Sequence, residues 1–323
     1  MKYTQLTLSK RYHISALKKQ GFSQKEIAQE IGVHPSTISR ELKRNNDVVR
    51  GYDAELAQVQ VAKREKHKKK RSCLTKQIER YIRSKLKLDW SPEQISGRMK
   101  LDIGVSVVHE TIYRYIYVNK ANGGRLYKYL RHKNKKYHKR SNEYKARGVI
   151  IDRVMIDKRP KIVEKKKRIG DFEIDTVIGK NHQGALVTVV DRKSKFALIK
   201  NVPSKEADVV KQALIEMLQP IKAIAYTITS DNGKEFAYHK EIAKALNIDF
   251  YFANPYHSWE RGLNEHTNGL IRQYLPKKSE FLHLSKEEII TIQNRLNHRP
   301  RKVLGYKTPY EVFFSEMSRK LAS

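Results

Sequence analysis

The sequence predicts a multidomain chain: an all-α, helix-turn-helix front half followed by an α/β domain with a mixed five-stranded sheet. Three observations carry that reading. The formal charge of +33 on 323 residues is unevenly placed, with 44 Lys+Arg against 16 Asp+Glu in residues 1–170 and 23 against 18 in residues 171–323. The front half is punctuated as short capped helices, and from residue 170 the texture changes to alternating apolar runs with tight turns. An excess of this size exceeds what solubility requires and points to a polyanionic partner. A ribosomal or membrane-surface chain is also basic, but neither predicts a near-neutral second half.

Residues 7–44 read as three short helices. The first carries Leu8, Tyr12, Ile14 and Leu17 and stops at Gly21. Ser23 and Glu26 form a capping box for a second helix with Ile27, Ala28 and Ile31 inward. Gly32 turns the chain, and Pro35 opens a third helix on a stripe of Ile38 and Leu42. Helix, Gly turn, helix is the pattern that sets its second helix into the major groove. His34, Ser36, Thr37 and Arg40 are its outward set, with Lys43 and Arg44 placed for phosphates. An ordinary three-helix bundle is the bland alternative.

A basic helical stretch ending in AKREKHKKKR precedes a second, weaker version of this pattern. There SPEQISGRMK (91–100) has a capped start with Pro92 at the first helical position. Gly104 supplies a turn, and residues 105–117 make a further helix offering His109, Thr111 and Arg114 to a groove. Residues 120–168 are poor in apolar side chains and are expected to bury no core alone.

Beyond residue 170, segments 171–179, 185–193 and 195–202 read as strands joined by hairpins. An amphipathic helix (204–219), a buried strand (224–230), a helix (235–246) and a last strand (249–253) follow. Helices over 261–275 and 285–297 cover the sheet. The expected boundaries are 1–50 helix-turn-helix, 51–75 basic helical linker, 76–120 second helix-turn-helix-like domain, 121–168 basic loop-rich linker, 169–315 α/β domain and 316–323 tail.

The acids of this domain carry its chemistry. Asp171, Glu173 and Asp175 alternate along one strand and so share a face. Burying three acids is costly unless a cation neutralises them. Asp231 follows a strand end, where ligands of α/β sheets gather, and Glu265 lies in a later helix. If the strands 171–179 and 224–230 are neighbours, Asp175 and Asp231 meet across them with Glu265 above. An all-oxygen cluster suits Mg²⁺ or Mn²⁺ rather than zinc. Two such ions activate a water or a 3′-hydroxyl and stabilise the leaving oxygen of a phosphodiester. Asp231-Asn232-Gly233 alone is only a good turn, and Asp191 beside Arg192 reads as a turn residue.

The set FEID (172–175), SDNGKEF (230–236) and ERGLNEHTNGLIRQYLPK (260–277), with 33 residues between Asp231 and Glu265, resembles the catalytic core of DDE transposases. The last block is most similar to bacterial insertion-sequence transposases of the insertion sequence 30 (IS30) family. Residues 21–45 resemble that family's helix-turn-helix, and residues 297–313 its closing segment. The resemblance implies an RNase H-like core of the retroviral-integrase type with Asp175, Asp231 and Glu265 as the metal-binding triad. Two motifs depart from the family's usual wording: Phe172-Glu173-Ile174-Asp175 stands where Trp-Glu-Gly-Asp is usual, and His266 interrupts the usual Asn-Glu-Asn-Thr-Asn-Gly. Neither departure touches a ligand position.

Helical spacing then assigns roles around the triad. Arg272, seven residues after Glu265, is expected to grip the scissile-strand phosphate, and Arg261, four before it, to orient the Glu or a neighbouring phosphate. Asn264 and Asn268 are expected to bond terminal nucleotides. Tyr256 and Trp259 are expected to stack on an unpaired end base, with core or cap packing the competing role for Trp259.

The resemblance implies cleavage of 3′ ends and their strand transfer, on double-stranded DNA carrying terminal inverted repeats and on target DNA, by at least a dimer. The rival class is a non-catalytic DNA-binding regulator that uses the core fold to oligomerise; a general nuclease is a third. The single cysteine, Cys73, excludes an internal disulfide framework and a Cys-rich zinc site, so a reducing compartment is expected. No apolar run approaches the ~18 residues that span a bilayer. The expected setting is the bacterial cytoplasm at the nucleoid, with neither a membrane nor a small molecule as partner.

Overall fold

The structure is a computed structural model that describes residues 5–47, 51–67, 74–131, 150–255 and 257–322. Contacts divide the chain into two units, Met1–Cys73 and Leu74–Ser323.

In the first unit, α1 (Leu8–Lys19), α2 (Gln24–Ile31) and α3 (Pro35–Asn45) are joined to α4 (Ala54–His67) through the short antiparallel pair β1 (Asn46–Asp47) and β2 (Gly51–Tyr52). The caps follow the sequence. Ser23 and Glu26 close the capping box on α2, Gly32 takes φ +68° at its end, and Pro35 opens α3. Ile14, Ile27, Ala28, Ile38, Leu42, Tyr52 and Ala57 form the core. Two expectations need correction. Leu8 and Tyr12 face solvent; the buried member of their helix beside Ile14 is Arg11, whose Nε donates to Glu41 Oε1 at 2.8 Å. The expected helical linker after residue 50 belongs to the domain instead: Tyr52 and Ala57 complete the core, and α4 packs on α1. The stretch is helical as read; what its run of charge did not show is that α4 is part of the domain's core.

The second unit opens with a bundle of α5 (Lys76–Lys87), α6 (Pro92–Ile103) and α7 (His109–Ala121) around Ile82, Leu86, Ile95, Met99, Ile112 and Ile116. Ser91 caps α6 with Gln94, and Gly104 ends it at φ +71°. The bundle is clasped to the rest of the unit. Arg98 donates from both Nη atoms to Glu311 at 2.7 and 2.6 Å, Arg295 Nη1 to Asp89 at 2.8 Å, and Tyr274 Oη to Asp89 at 3.2 Å. At Gly97 an added Cβ would lie 2.3 Å from the Tyr306 ring, so α6 meets this turn only because the side chain is absent.

The α/β domain is built on one sheet with the strand order β5-β4-β3-β6-β7. Its strands are β3 (Asp171–Ile178), β4 (Ala185–Asp191), β5 (Ala197–Val202), β6 (Thr227–Ser230) and β7 (Asp249–Phe252). The first three are antiparallel, and β6 and β7 join in parallel, which makes the sheet mixed. Phe172 and Ile174 bury one face with α9 (Ala207–Leu218) and α10 (His239–Leu246). Val177 lies on the other face, in a cluster with Leu270 and Ile271 of α11 (Gly262–Tyr274) and Ile289 and Ile292 of α12 (Lys286–Asn297). By the two-residue period of a strand, Asp171, Glu173 and Asp175 share the α11 face with Val177.

Segments read as peripheral also contribute here. Ile150, Ile156 and Val163 are buried, the last in the single turn α8 (Lys161–Glu164). Within the expected linker 121–168, residues 132–149 lie outside the described residues. The expected tail is helical instead, because α13 (Pro309–Leu321) runs through it and Met317 packs on the core.

Candidate active site

The register of β3 against β6 sets the acids. Asp171 pairs with Thr227 and Glu173 with Thr229, so the same offset places Asp175 level with Asp231 just past the end of β6. Neighbouring strands are about 4.8 Å apart, which puts two carboxylates side by side. One guanidinium bridges them: Arg261 Nη1 is 3.6 Å from Asp175 Oδ2, and its Nη2 is 3.3 Å from Asp231 Oδ2.

Each carboxylate is also held by the backbone. The Thr176 N–H donates to Asp175 Oδ1 at 2.9 Å and the Gly233 N–H to Asp231 Oδ1 at 3.0 Å. The SDNG turn thus does more than reverse the chain: its Gly233 N–H fixes the acid. Burial pushes the Asp175 carboxyl up to about 6; the Asp231 charge adds to this, while Arg261 and the Thr176 N–H oppose it. Burial thus outweighs what Arg261 and the Thr176 N–H give this carboxylate.

Glu265 stands in the first turn of α11, exposed, between two residues that touch β3. The Asn264 N–H donates to Glu173 Oε2 at 3.2 Å, and Asn268 Nδ2 donates to Asp175 Oδ2 at 2.9 Å. Residues three apart share a helix face, so Glu265 is on the side of Asn268, which reaches Asp175. The compact three-acid cluster expected from the sequence is not formed: among the described residues no three His, Cys, Asp or Glu side chains are gathered to hold an ion. Two of the three expected acids are brought together, with a cation between them. The donor set is nonetheless all oxygen, fixed by N–H groups and charge-rich, which fits a hard divalent ion.

Other expectations meet a different outcome. Arg272 does not face the acids; its Nη2 donates to Ile178 O at 2.8 Å, and its Nη1 lies 3.4 and 3.3 Å from the Leu275 and Pro276 carbonyls. Seven residues are nearly two turns, long enough to carry it to the far end of β3, where backbone carbonyls needed donors. The Asn264 side chain is buried rather than offered to a nucleotide, and Asn268 is bonded to Asp175. Trp259 is 71% exposed with its ring 4.5 Å from that of His257, which removes the core-packing role. Tyr256 lies outside the described residues.

Asp171 is neutralised by Arg168 at 2.9 and 3.0 Å, and Asp191 is a buried turn acid accepting from Gly170 and Ser194 N–H groups at 2.7 Å each. Three residues near the acids were not singled out from sequence. Thr188 Oγ1 donates to the Asp175 carbonyl at 3.1 Å, Thr176 Oγ1 donates to Glu235 Oε1 at 2.9 Å, and Arg153 binds Asn232. Glu235 sits within SDNGKEF, so its place beside the motif was its only signal.

In the first unit, His34 caps α3, accepting from the Ser36 N–H at 3.2 Å; Arg40, Lys43 and Arg44 are exposed, and Ser36 and Thr37 half-buried. On α7, Arg114 is exposed and His109 and Thr111 are half-buried.

The helix-turn-helix domain family matches residues 2–45, and the integrase core domain family matches residues 166–258, which includes Asp175 and Asp231 and stops short of Glu265. The chain is 50% identical over 309 residues to the transposase for insertion sequence element IS4351 of Bacteroides fragilis, covering 95% of each. It is 35% identical to the transposase for IS1086 of Cupriavidus metallidurans, over 96% of this chain and 94% of that one. It is 34% identical to transposase InsI for IS30A of Escherichia coli, over 95% of this chain and 82% of that one. With such identity running through the helix-turn-helix and the integrase-like core alike, the chain belongs to the IS30 family of insertion-sequence transposases.

Proposed function

We propose that this transposase cuts the 3′ ends of its own mobile element and joins them to other DNA, with Asp175, Asp231 and Glu265 as its catalytic acids. The observation that carries the reading is the strand register that sets Asp175 level with Asp231 under α11. These three residues would hold Mg²⁺ or Mn²⁺, two ions at full occupancy. Bound there, such ions supply Lewis-acid activation of a water or 3′-hydroxyl and of the leaving oxygen. In cleavage the water oxygen forms a new bond to phosphorus as the bond to the 3′ oxygen breaks. In joining, the freed 3′-hydroxyl makes the same substitution on target DNA.

The chain's own groups position this chemistry. The Thr176 and Gly233 N–H groups and the Asn268 amide hold the acid oxygens, so they need not reorganise. Arg261 keeps a positive charge at the acids and is placed to turn toward the phosphate being cut. In the first unit α3 reads the terminal inverted repeats in the major groove, and α7 adds a second contact through Arg114. Both ends of an element must be handled together, so the working form is at least a dimer on DNA. Among the described residues no helix is long and apolar enough to cross a membrane.

The regulator reading loses support because the relatives carrying both domains are named as transposases. Strand cleavage on duplexes bearing the inverted repeats that flank the reading frame, with Mg²⁺, is the direct test. Asp231→Asn and Glu265→Gln are each expected to lower cleavage at least a hundredfold while leaving duplex binding intact. Wild-type cleavage by either variant would reject the triad.

A further inference from the structure

Beside the acid pair, under the first turns of α11, lies a cavity of about 680 Å³ that the reaction above leaves unused. Its lining includes Arg159, Glu173, Arg192, Lys195, Trp259 and Arg301. Glu173 is two residues before Asp175 on the same face of β3, so the cavity begins about 7 Å from the catalytic acids.

Buried guanidinium groups line this space with N–H groups still to be satisfied. Arg159 Nε, Arg192 Nε and Nη1, and Arg301 Nε are buried without a hydrogen-bond partner among the described residues. Arg192 and Arg159 are 3% and 6% exposed. The acids nearby are already engaged. Glu164 pairs with both Arg159 and Arg192, and Glu173 holds the Asn264 N–H with Arg192 Nη1 3.4 Å away. Asp157 and Glu260 both accept from Asn254.

Arg301 Nη2 donates to the Leu296 carbonyl at 3.1 Å. Burial and the charge of Arg299 push its guanidinium down to about 10, still cationic at neutral pH. Buried donors are nearly always paired in folded proteins, so unpaired ones around a cavity of this size call for an acceptor-rich occupant. The rim is apolar: Trp259 and Val303, both in the lining, are 71% and 77% exposed. A cationic interior under an exposed indole suits a ligand with a phosphate at one end and an aromatic ring at the other. The volume falls in the range of about 300–1,000 Å³ of pockets that enclose small organic groups.

We propose that this cavity receives one nucleotide turned out of the DNA strand held at Asp175 and Asp231, with its phosphate on Arg159, Arg192 and Arg301 and its base against Trp259. The placement of that strand rests on the catalytic reading above; the pocket's chemistry does not. A nucleotide extruded here fixes the register of the strand, so the scissile phosphate is set by a pocket as well as by the helix-turn-helix.

The test uses the full-length protein in EDTA, with intrinsic fluorescence titrated by the 5′-phosphorylated thymidine dinucleotide. The chain has two tryptophans, and the other, Trp90, is buried in the α5–α7 core, so the signal reports Trp259. Saturable quenching is expected. It should vanish in Trp259→Phe and shift at least tenfold to higher concentration in Arg301→Gln, with Arg301→Lys between. Inorganic phosphate should compete without quenching. Arg301→Gln binding as the wild type does, a full response in Trp259→Phe, or no saturable response at all would each overturn the proposal.

Asp231→Asn should bind the dinucleotide normally, which separates this test from the catalytic one. Binding without any cleavage by the wild-type protein would uphold the pocket and reject the catalytic reading. Cleavage without binding would do the reverse.

Discussion

Asp175 is both the acid that the proposed reaction needs ionised and a group that burial penalises for being so. Its folded value of about 6 lies above the ordinary 3.8, so the folded chain binds more protons than the unfolded one between about pH 4 and 6. Stability therefore falls as pH rises through that window, by ~3 kcal/mol at most. Asp175→Asn is expected to be more stable than the wild type at pH 7, by ~1–2 kcal/mol once weakened hydrogen bonds are deducted, and no more stable below pH 4. Urea denaturation at the two pH values checks this; a loss of stability at pH 7 would contradict it. Arg261 acts in the opposite sense on the same carboxyl. Arg261→Gln should move its titration midpoint, followed by carboxyl NMR, upward from about 6. An unmoved midpoint would remove Arg261 from the acid pair.

At the scale of elements, the useful question is what fixes α11 over the sheet. Asn264 and Asn268 tie its first turns to β3, and Arg272 ties its last turn to the Ile178 carbonyl. Arg272→Ala is accordingly expected to destabilise by ~1–2 kcal/mol, because the half-buried Ile178 carbonyl loses its donor. Weaker DNA binding at unchanged thermal stability would instead restore the phosphate-gripping role read from spacing.

The α6 contact offers a second case. Arg98 holds the Glu311 carboxyl down to about 2, so the clasp contributes above the ordinary 4.5 and is lost as pH falls toward 2. Glu311 is 41% exposed, which limits that contribution to about 1 kcal/mol or less. Packing at Gly97 weighs more. Gly97→Ala must displace Tyr306 and should lower thermal stability by ~1–3 kcal/mol.

For the whole molecule, the division after Cys73 changes where the chain is best cut. A fragment ending near residue 120 would expose the face of α5–α7 that meets Glu311, Arg295 and Tyr274. Residues 1–73 contain a closed core with α4 included and should fold alone. This fragment is expected to bind inverted-repeat DNA in preference to unrelated duplex, with affinity falling steeply between 50 and about 200 mM salt. Equal affinity for both duplexes at moderate salt would show that α3 contacts phosphates only.

The sequence alone determined the helix-turn-helix, the order of strands and helices, and the acids, because caps, periodicity and motif spacing are local. FEID, SDNG and the Glu265 block could be read without knowing what they face. Tertiary structure decided which side chains share a neighbourhood. It set Asp175 against Asp231 through the β3–β6 register, put Arg261 between them, and turned Arg272 and Asn264 inward. It also assembled the Arg159–Arg192–Arg301 cavity from segments up to 142 positions apart. Burial and charge proximity are sums over neighbours brought together by the fold, and no local pattern carries them.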